Sequence, residues 1–221
     1  MIDSERWMRE WVRRMCDAFG SRLKYLGLQG SYRRGEAHEA SDIDVVTILD
    51  RVQTEDFRTI RRLREGMPEQ DKACGFLAGE DELRAWPRHE LFQFHMDTDD
   101  YYGSLSALLP PLTEEDIRAG LRIQVSGLYH MTCHTQLYGA PETQTDILRS
   151  LYKSVYFALA LACYLETGVY FRTKRELASQ LQGQEAALLA ISRDFDGAAP
   201  SIDARFDLLR DWCSDMLKNL A

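Results

Sequence analysis

The sequence has no apolar run of the roughly 20 residues that a membrane-spanning helix needs. Its longest candidate, Val155 to Leu165, suits a buried helix instead, and a membrane is not an expected partner. It has no surplus of positive charge. Lys and Arg number 27 against 35 Asp and Glu, a net charge of −8. Holding a long nucleic acid requires phosphate neutralisation by a basic surface, so that class of partner is disfavoured, while a local basic pocket for a small polyphosphate stays open. There is no CxxC pair. The five cysteines, Cys16, Cys74, Cys133, Cys163 and Cys213, are far apart and odd in number, which argues for buried or free thiols in a reducing compartment rather than a disulfide framework. The opening Met1-Ile2-Asp3-Ser4-Glu5-Arg6 is too charged for the apolar core of a secretory leader. The expected location is therefore cytoplasmic. No internal repeat or low-complexity segment is visible.

What is present is an ordinary globular composition, 45% hydrophobic and 28% charged, in a chain long enough for one large or two small domains. Trp7, Trp11, Met15 and Phe19 recur every four residues, which predicts an amphipathic helix over 4–19 ended by Gly20-Ser21. Residues 22–29 read as a strand. A glycine-punctuated turn, Gly30 to Gly35, and a polar stretch lead to a second strand, 42–49, whose Ile43, Val45, Val46, Ile48 and Leu49 suit burial on both faces. A helix capped by Thr54 is expected over 54–65, with the arginines of 58–64 forming a solvated face. A short strand near 74–78 and a short helix near 81–86 follow. Over 90–97, Phe92, Phe94 and Met96 alternate with Gln93, His95 and Asp97, which predicts a strand with one polar face.

Pro110-Pro111 is the strongest break in the chain, and the character beyond it is helical. Thr113 and Asp116 have capping-box spacing, opening a helix to about Tyr138. Gly139-Ala140-Pro141 breaks it. A second long helix is expected over 145–167, a capped helix at Thr173 to Glu176, and a final amphipathic helix from Ser201. Residues 1–111 and 112–221 thus form the expected two domains.

Asp42 and Asp44 carry the chemistry. Residues two apart on a strand face one side, with backbones roughly 6–7 Å apart. Two carboxylates that close repel each other and resist burial, unless a divalent cation sits between them. Oxygen donors of this kind suit Mg²⁺ or Mn²⁺, which also bind substrate phosphates. Asp97 completes a three-carboxylate cluster if its strand neighbours theirs, and Asp99, of the same parity, is the fallback. Such a cluster fits phosphoryl or nucleotidyl transfer, two metals clamping the attacking and leaving oxygens and one carboxylate, Asp97, accepting the hydroxyl proton. Gly30 lets the backbone approach a phosphate closely. Ser31 adds a hydroxyl and the following amides add donors. The plain alternatives are two surface acids at a strand end and an exposed Asp97 in a polar loop.

Taken together, Gly30-Ser31-Tyr32-Arg33-Arg34-Gly35 and Ser41-Asp42-Ile43-Asp44-Val45-Val46 resemble the glycine-serine and paired-aspartate signature of the nucleotidyltransferase superfamily related to DNA polymerase beta. The likeness is strongest to the bacterial minimal nucleotidyltransferases and the antibiotic nucleotidyltransferases. It covers about residues 25–50. The resemblance implies an α+β fold, with a small mixed sheet flanked by helices and a C-terminal helical bundle. It implies that Gly30 and Ser31 hold the phosphates of a nucleoside triphosphate, and that Asp42, Asp44 and Asp97 bind Mg²⁺, two ions or Mn²⁺ in its place. It further implies transfer of a nucleoside monophosphate, AMP from ATP, to a hydroxyl-bearing acceptor such as an aminoglycoside-like antibiotic, with pyrophosphate released. The helical half resembles, more weakly, the domain that follows the catalytic one in those enzymes. There Lys153 would reach the triphosphate, and Thr167 to Glu176 would help to line the site; the plain alternative for Lys153 is a solvated helix lysine.

Two other functions stand against this one. The same chemistry adenylates a protein in toxin–antitoxin pairs, although the ribonuclease motif RxxxxH is absent from the helical half. A non-catalytic nucleotide-binding module is the third, disfavoured by the intact acid pair. Tyr101 and Tyr102 are placed for an acceptor pocket. His130 and His134 stand four apart on a predicted helix, a zinc-like spacing, but lack a nearby third ligand or an HExxH, and so read as core or surface histidines. An exposed helical face leaves a homodimer open.

Overall fold

The computed structural model describes residues 2–220 and divides into two compact units, Met1–Pro111 and Leu112–Ala221. The first is built on a four-stranded mixed sheet in the order β3-β2-β1-β4. Its strands are β1 (Leu23–Gln29), β2 (Ile43–Leu49), β3 (Ala73–Gly79) and β4 (Asp99–Tyr102). β1 runs antiparallel to β2 and β4, and β2 runs parallel to β3.

The first helix, α1 (Ser4–Phe19), has its N-cap at Asp3, which accepts from the Arg6 amide at 3.0 Å. Its buried stripe, Trp7, Met8, Trp11, Met15 and Phe19, packs with Leu26 and Leu28 of β1 and with Ile43 and Val45 of β2. Each such side chain contributes about 1.5–3 kcal/mol on full burial, so the four-residue repeat read from the sequence is the core of this unit. A four-residue helical turn, α2 (Gly30–Arg33), follows β1 directly. Between β2 and β3 lies α3 (Thr54–Arg64). Its N-cap is Gln53 rather than Thr54, because the Asp56 carboxylate accepts from the Gln53 amide at 2.8 Å and closes the turn one residue earlier.

The clearest departure is at 90–97. These residues form no strand; α4 (Glu80–Ala85) is followed by α5 (Arg88–Met96), and the edge strand comes later as β4. Arg88, Glu90, Leu91, Gln93 and Met96 are all good helix formers, and Pro87 presets the backbone where the helix starts. Leu91 and Phe92 supply the buried stripe, while the alternation of Phe92, Phe94 and Met96 mimics a period of two over a run too short to separate the periods. Phe94 meets Phe76 of β3 with ring centroids 4.9 Å apart, and Phe76 meets Trp86 at 5.1 Å.

The second unit is helical: α6 (Glu114–Tyr138), α7 (Pro141–Thr167), α8 (Lys174–Ala178), α9 (Gly183–Arg193) and α10 (Ile202–Asn219). Thr113 forms the capping box with Asp116. α7 starts at Pro141, four residues before the expected position, since proline is favoured in the first turn of a helix. Gly168 ends it with φ of 73°, a left-handed cap. Leu159, Leu188, Phe206, Leu209 and Trp212 are among the buried side chains of the second unit. Arg205, also buried, donates to the carbonyls of Phe195, Ala198 and Pro200. No helix is long and apolar enough to cross a membrane among the described residues.

Candidate active site

The sheet register brings the motif residues together. Asp44, the second residue of β2, lies opposite Gln29, the last of β1, and beside Cys74 of β3. Gly30 follows Gln29 with φ of 71°. A Cβ there would stand 1.8 Å from Asp44 Oδ2. Gly30 is therefore required twice over, once by its left-handed backbone and once by the carboxylate pressed against it. Asp42 is exposed just before β2 and Asp44 is half-buried. The approach to them is pinned by buried Ser41, whose hydroxyl accepts from the His38 amide at 2.9 Å. Ser31 is half-buried in α2, and its carbonyl accepts from the Glu36 amide at 2.9 Å.

Three residues that motif reading passed over complete this corner. Cys74 donates its thiol to Asp44 Oδ1 at 3.3 Å. Burial pushes the thiol up to about 12, with the Asp44 hydrogen bond and the negative charges of Asp44 and Asp42 adding to the shift. The group stays a neutral donor to the carboxylate. Gln29 donates to Thr98 Oγ1 at 2.7 Å and to the Phe94 carbonyl at 3.2 Å, which ties the end of β1 to the end of α5. Arg33 is the third. Its side chain is only 2% exposed; it lies 3.6 Å from Asp97 Oδ1 and 3.3 Å from Asp99 Oδ1, and donates to the Met96 carbonyl at 2.9 Å. These contacts come from strand register and from the turn of α2, which no short motif encodes.

Asp97 is the C-cap of α5 and is buried. Asp99 opens β4 opposite Leu28 and is partly exposed. Both acids meet Arg33. No cluster of three or more His, Cys, Asp or Glu side chains suited to a metal is assembled among the described residues. Tyr101 packs against the core beside α1, and its hydroxyl donates to Glu5 at 2.8 Å. Lys153 is exposed on α7 in the second unit.

The site is a glycine turn pressed against a strand carboxylate, with a second acid two residues away. Residues 8–92 match the nucleotidyltransferase domain family. Residues 8–92, within the first unit, are thus a nucleotidyltransferase domain, which supports a nucleotidyltransferase enzyme. No curated protein matches the sequence. Among solved structures, it is similar to the spectinomycin adenyltransferase AAD(9) from Enterococcus faecialis, determined with ATP and spectinomycin, with a TM-score of 0.60 and 13% identity. That likeness covers 98% of this chain and 100% of the other. The shared fold thus includes the helical part as well as the sheet.

Proposed function

We propose that this enzyme transfers AMP from ATP to a hydroxyl of a small cationic acceptor of the aminoglycoside kind and releases pyrophosphate. The observation that carries the reading is the fit of Gly30 against the Asp44 carboxylate, which sets the glycine turn beside the acid pair. The similar adenyltransferase, solved with ATP and spectinomycin, supports the choice of nucleotide and acceptor class. A chain with net charge −8 suits a cationic acceptor.

Asp42 and Asp44 fit Mg²⁺ by their donor chemistry, since that ion is bound through one or two carboxylates plus substrate phosphates, not by an all-protein cage. When bound, Mg²⁺ or Mn²⁺ neutralises charge on the triphosphate, and two ions fit the transfer. Gly30 and Ser31 hold the triphosphate by close backbone approach and by the Ser31 hydroxyl. In the transfer the acceptor oxygen bonds to the α-phosphorus, the bond to the β-phosphate oxygen breaks, and pyrophosphate leaves. The hydroxyl proton passes to Asp97, which Arg33 positions. Asp99 is the alternative acid.

The test uses α-labelled ATP, Mg²⁺ and a panel of hydroxylated antibiotics, following pyrophosphate release and label transfer. Label on a small molecule is expected. Label on protein would establish protein adenylation instead, and no Mg²⁺-dependent nucleotide binding would overturn both. Asp42→Asn and Asp44→Asn should each abolish transfer with the far-UV spectrum intact. Loss in Asp97→Asn but not in Asp99→Asn assigns the proton acceptor; the reverse moves that role to Asp99.

A further inference from the structure

Away from these residues, α6 presents a face that its own unit does not use. No Asp, Glu, Lys or Arg stands between Arg122 and Glu142, in a chain that is 28% charged. Yet Ile123, Met131, Leu137 and Tyr138 in this stretch are exposed, the last two by 70% and 72%. Ile123, Gly127, His130, His134 and Leu137 follow one another at spacings of four, three, four and three, the seam of a paired helix. All of them are exposed.

His130 and His134 sit one turn apart with ring centroids 5.9 Å apart. Two imidazoles sharing one Zn²⁺ at about 2.0–2.1 Å per nitrogen have centroids roughly 5 Å apart, so a small side-chain rotation converges the pair. Imidazole suits borderline divalent ions such as zinc. A pair is half of a tetrahedral set, and no larger cluster suited to a metal is assembled among the described residues.

We propose that His130 and His134 bind Zn²⁺ together with the same pair from a second copy of this chain, so that the ion joins two α6 helices across a two-fold axis. An axis centred between the two histidines sets antiparallel helices with His130 level with His134, Gly127 level with Leu137, and Ser126 level with Tyr138. That register is self-complementary, as an isologous contact must be. A Cβ on Gly127 would meet nothing within 4 Å, although glycine disfavours a helix interior relative to alanine. The gap it leaves is at the level of the most protruding leucine of the other copy. The absence of formal charge along the face removes like-charge repulsion between two identical surfaces. Four apolar side chains per copy fall well short of a permanent dimer interface, which runs to about 2,000 Å² or more. Association is therefore conditional on the metal.

Sedimentation velocity of the full chain, with metal content measured on the same samples, tests this. Stoichiometric Zn²⁺ should double the mass, at one ion per two chains, and EDTA should restore the single chain. His130→Gln and His134→Gln should each lose the doubling while keeping the helical far-UV spectrum. Gly127→Leu should weaken the zinc-dependent association, since it fills the gap facing Leu137. Unchanged mass with Zn²⁺, or equal doubling in His134→Gln, would overturn the proposal. So would one ion per chain with no change in mass.

Discussion

At the scale of single residues, the corner around Asp44 is set by close contact. Gly30→Ala forces a Cβ into the Asp44 carboxylate at a left-handed backbone position. The backbone alone costs about 1–2 kcal/mol. The carboxylate must also shift by about 1 Å, and displacement of that size in an active site costs on the order of 100-fold in rate. A fall of that size in kcat/KM, with a modest drop in melting temperature, is expected; near-normal activity would show that Asp44 has freedom the structure denies it. Arg33 is the second sensitive residue. Its guanidinium is buried against Asp97, so Arg33→Met leaves that buried acid without its cation. Breaking one partner of a buried pair costs about 3–5 kcal/mol, measurable by urea titration. Arg33→Lys should recover only part of this, since a single ammonium cannot hold two acids and the Met96 carbonyl in one plane.

At the scale of elements, α3 is clamped to the start of β1. Arg22 makes a bidentate pair with Asp56, 2.9 Å on each arm, and the Asp56 side chain is only 5% exposed. The Arg22 hydrogen bonds hold the Asp56 carboxyl below its ordinary range. A carboxyl depressed on folding contributes stability above its unfolded value, about 3.9, and that contribution is lost as pH falls through the folded value. Asp56→Asn should therefore cost about 1.5–3 kcal/mol near neutral pH. The gap between wild type and variant in urea should narrow as pH is taken down through about 4; a gap that widens would reverse the assignment. The elements also show where sequence is readable. α1, β1 and β2 were legible because long apolar repeats and a glycine turn agree with one another. The stretch 88–96 was not, because a short apolar run satisfies both periods and tertiary packing of Phe94 on Phe76 decides between them. The candidate site divides the same way. Gly30, Asp42 and Asp44 announce themselves by spacing, whereas Cys74 and Gln29 act through strand register and Arg33 through the turn of α2.

At the scale of the whole molecule, charge is the property that sequence states most directly and that the proposed reaction uses most broadly. A protein of net charge −8 attracts a cationic acceptor and repels the anionic nucleotide over distances set by salt. The screening length falls from about 10 Å at 0.1 M to about 3 Å at 1 M. Long-range attraction and repulsion should fade together over that range, so the two substrates should respond with opposite signs. Raising ionic strength with an inert salt should increase KM for the acceptor and lower KM for ATP, each by roughly two- to five-fold, as expected for steering by exposed charge. Steady-state kinetics with each substrate varied in turn separates the two effects. A parallel rise in both values would point to a general salt effect on the protein. A salt-independent acceptor KM would mean that close contacts, not the molecular field, select the acceptor, and would remove net charge from the argument for a cationic one.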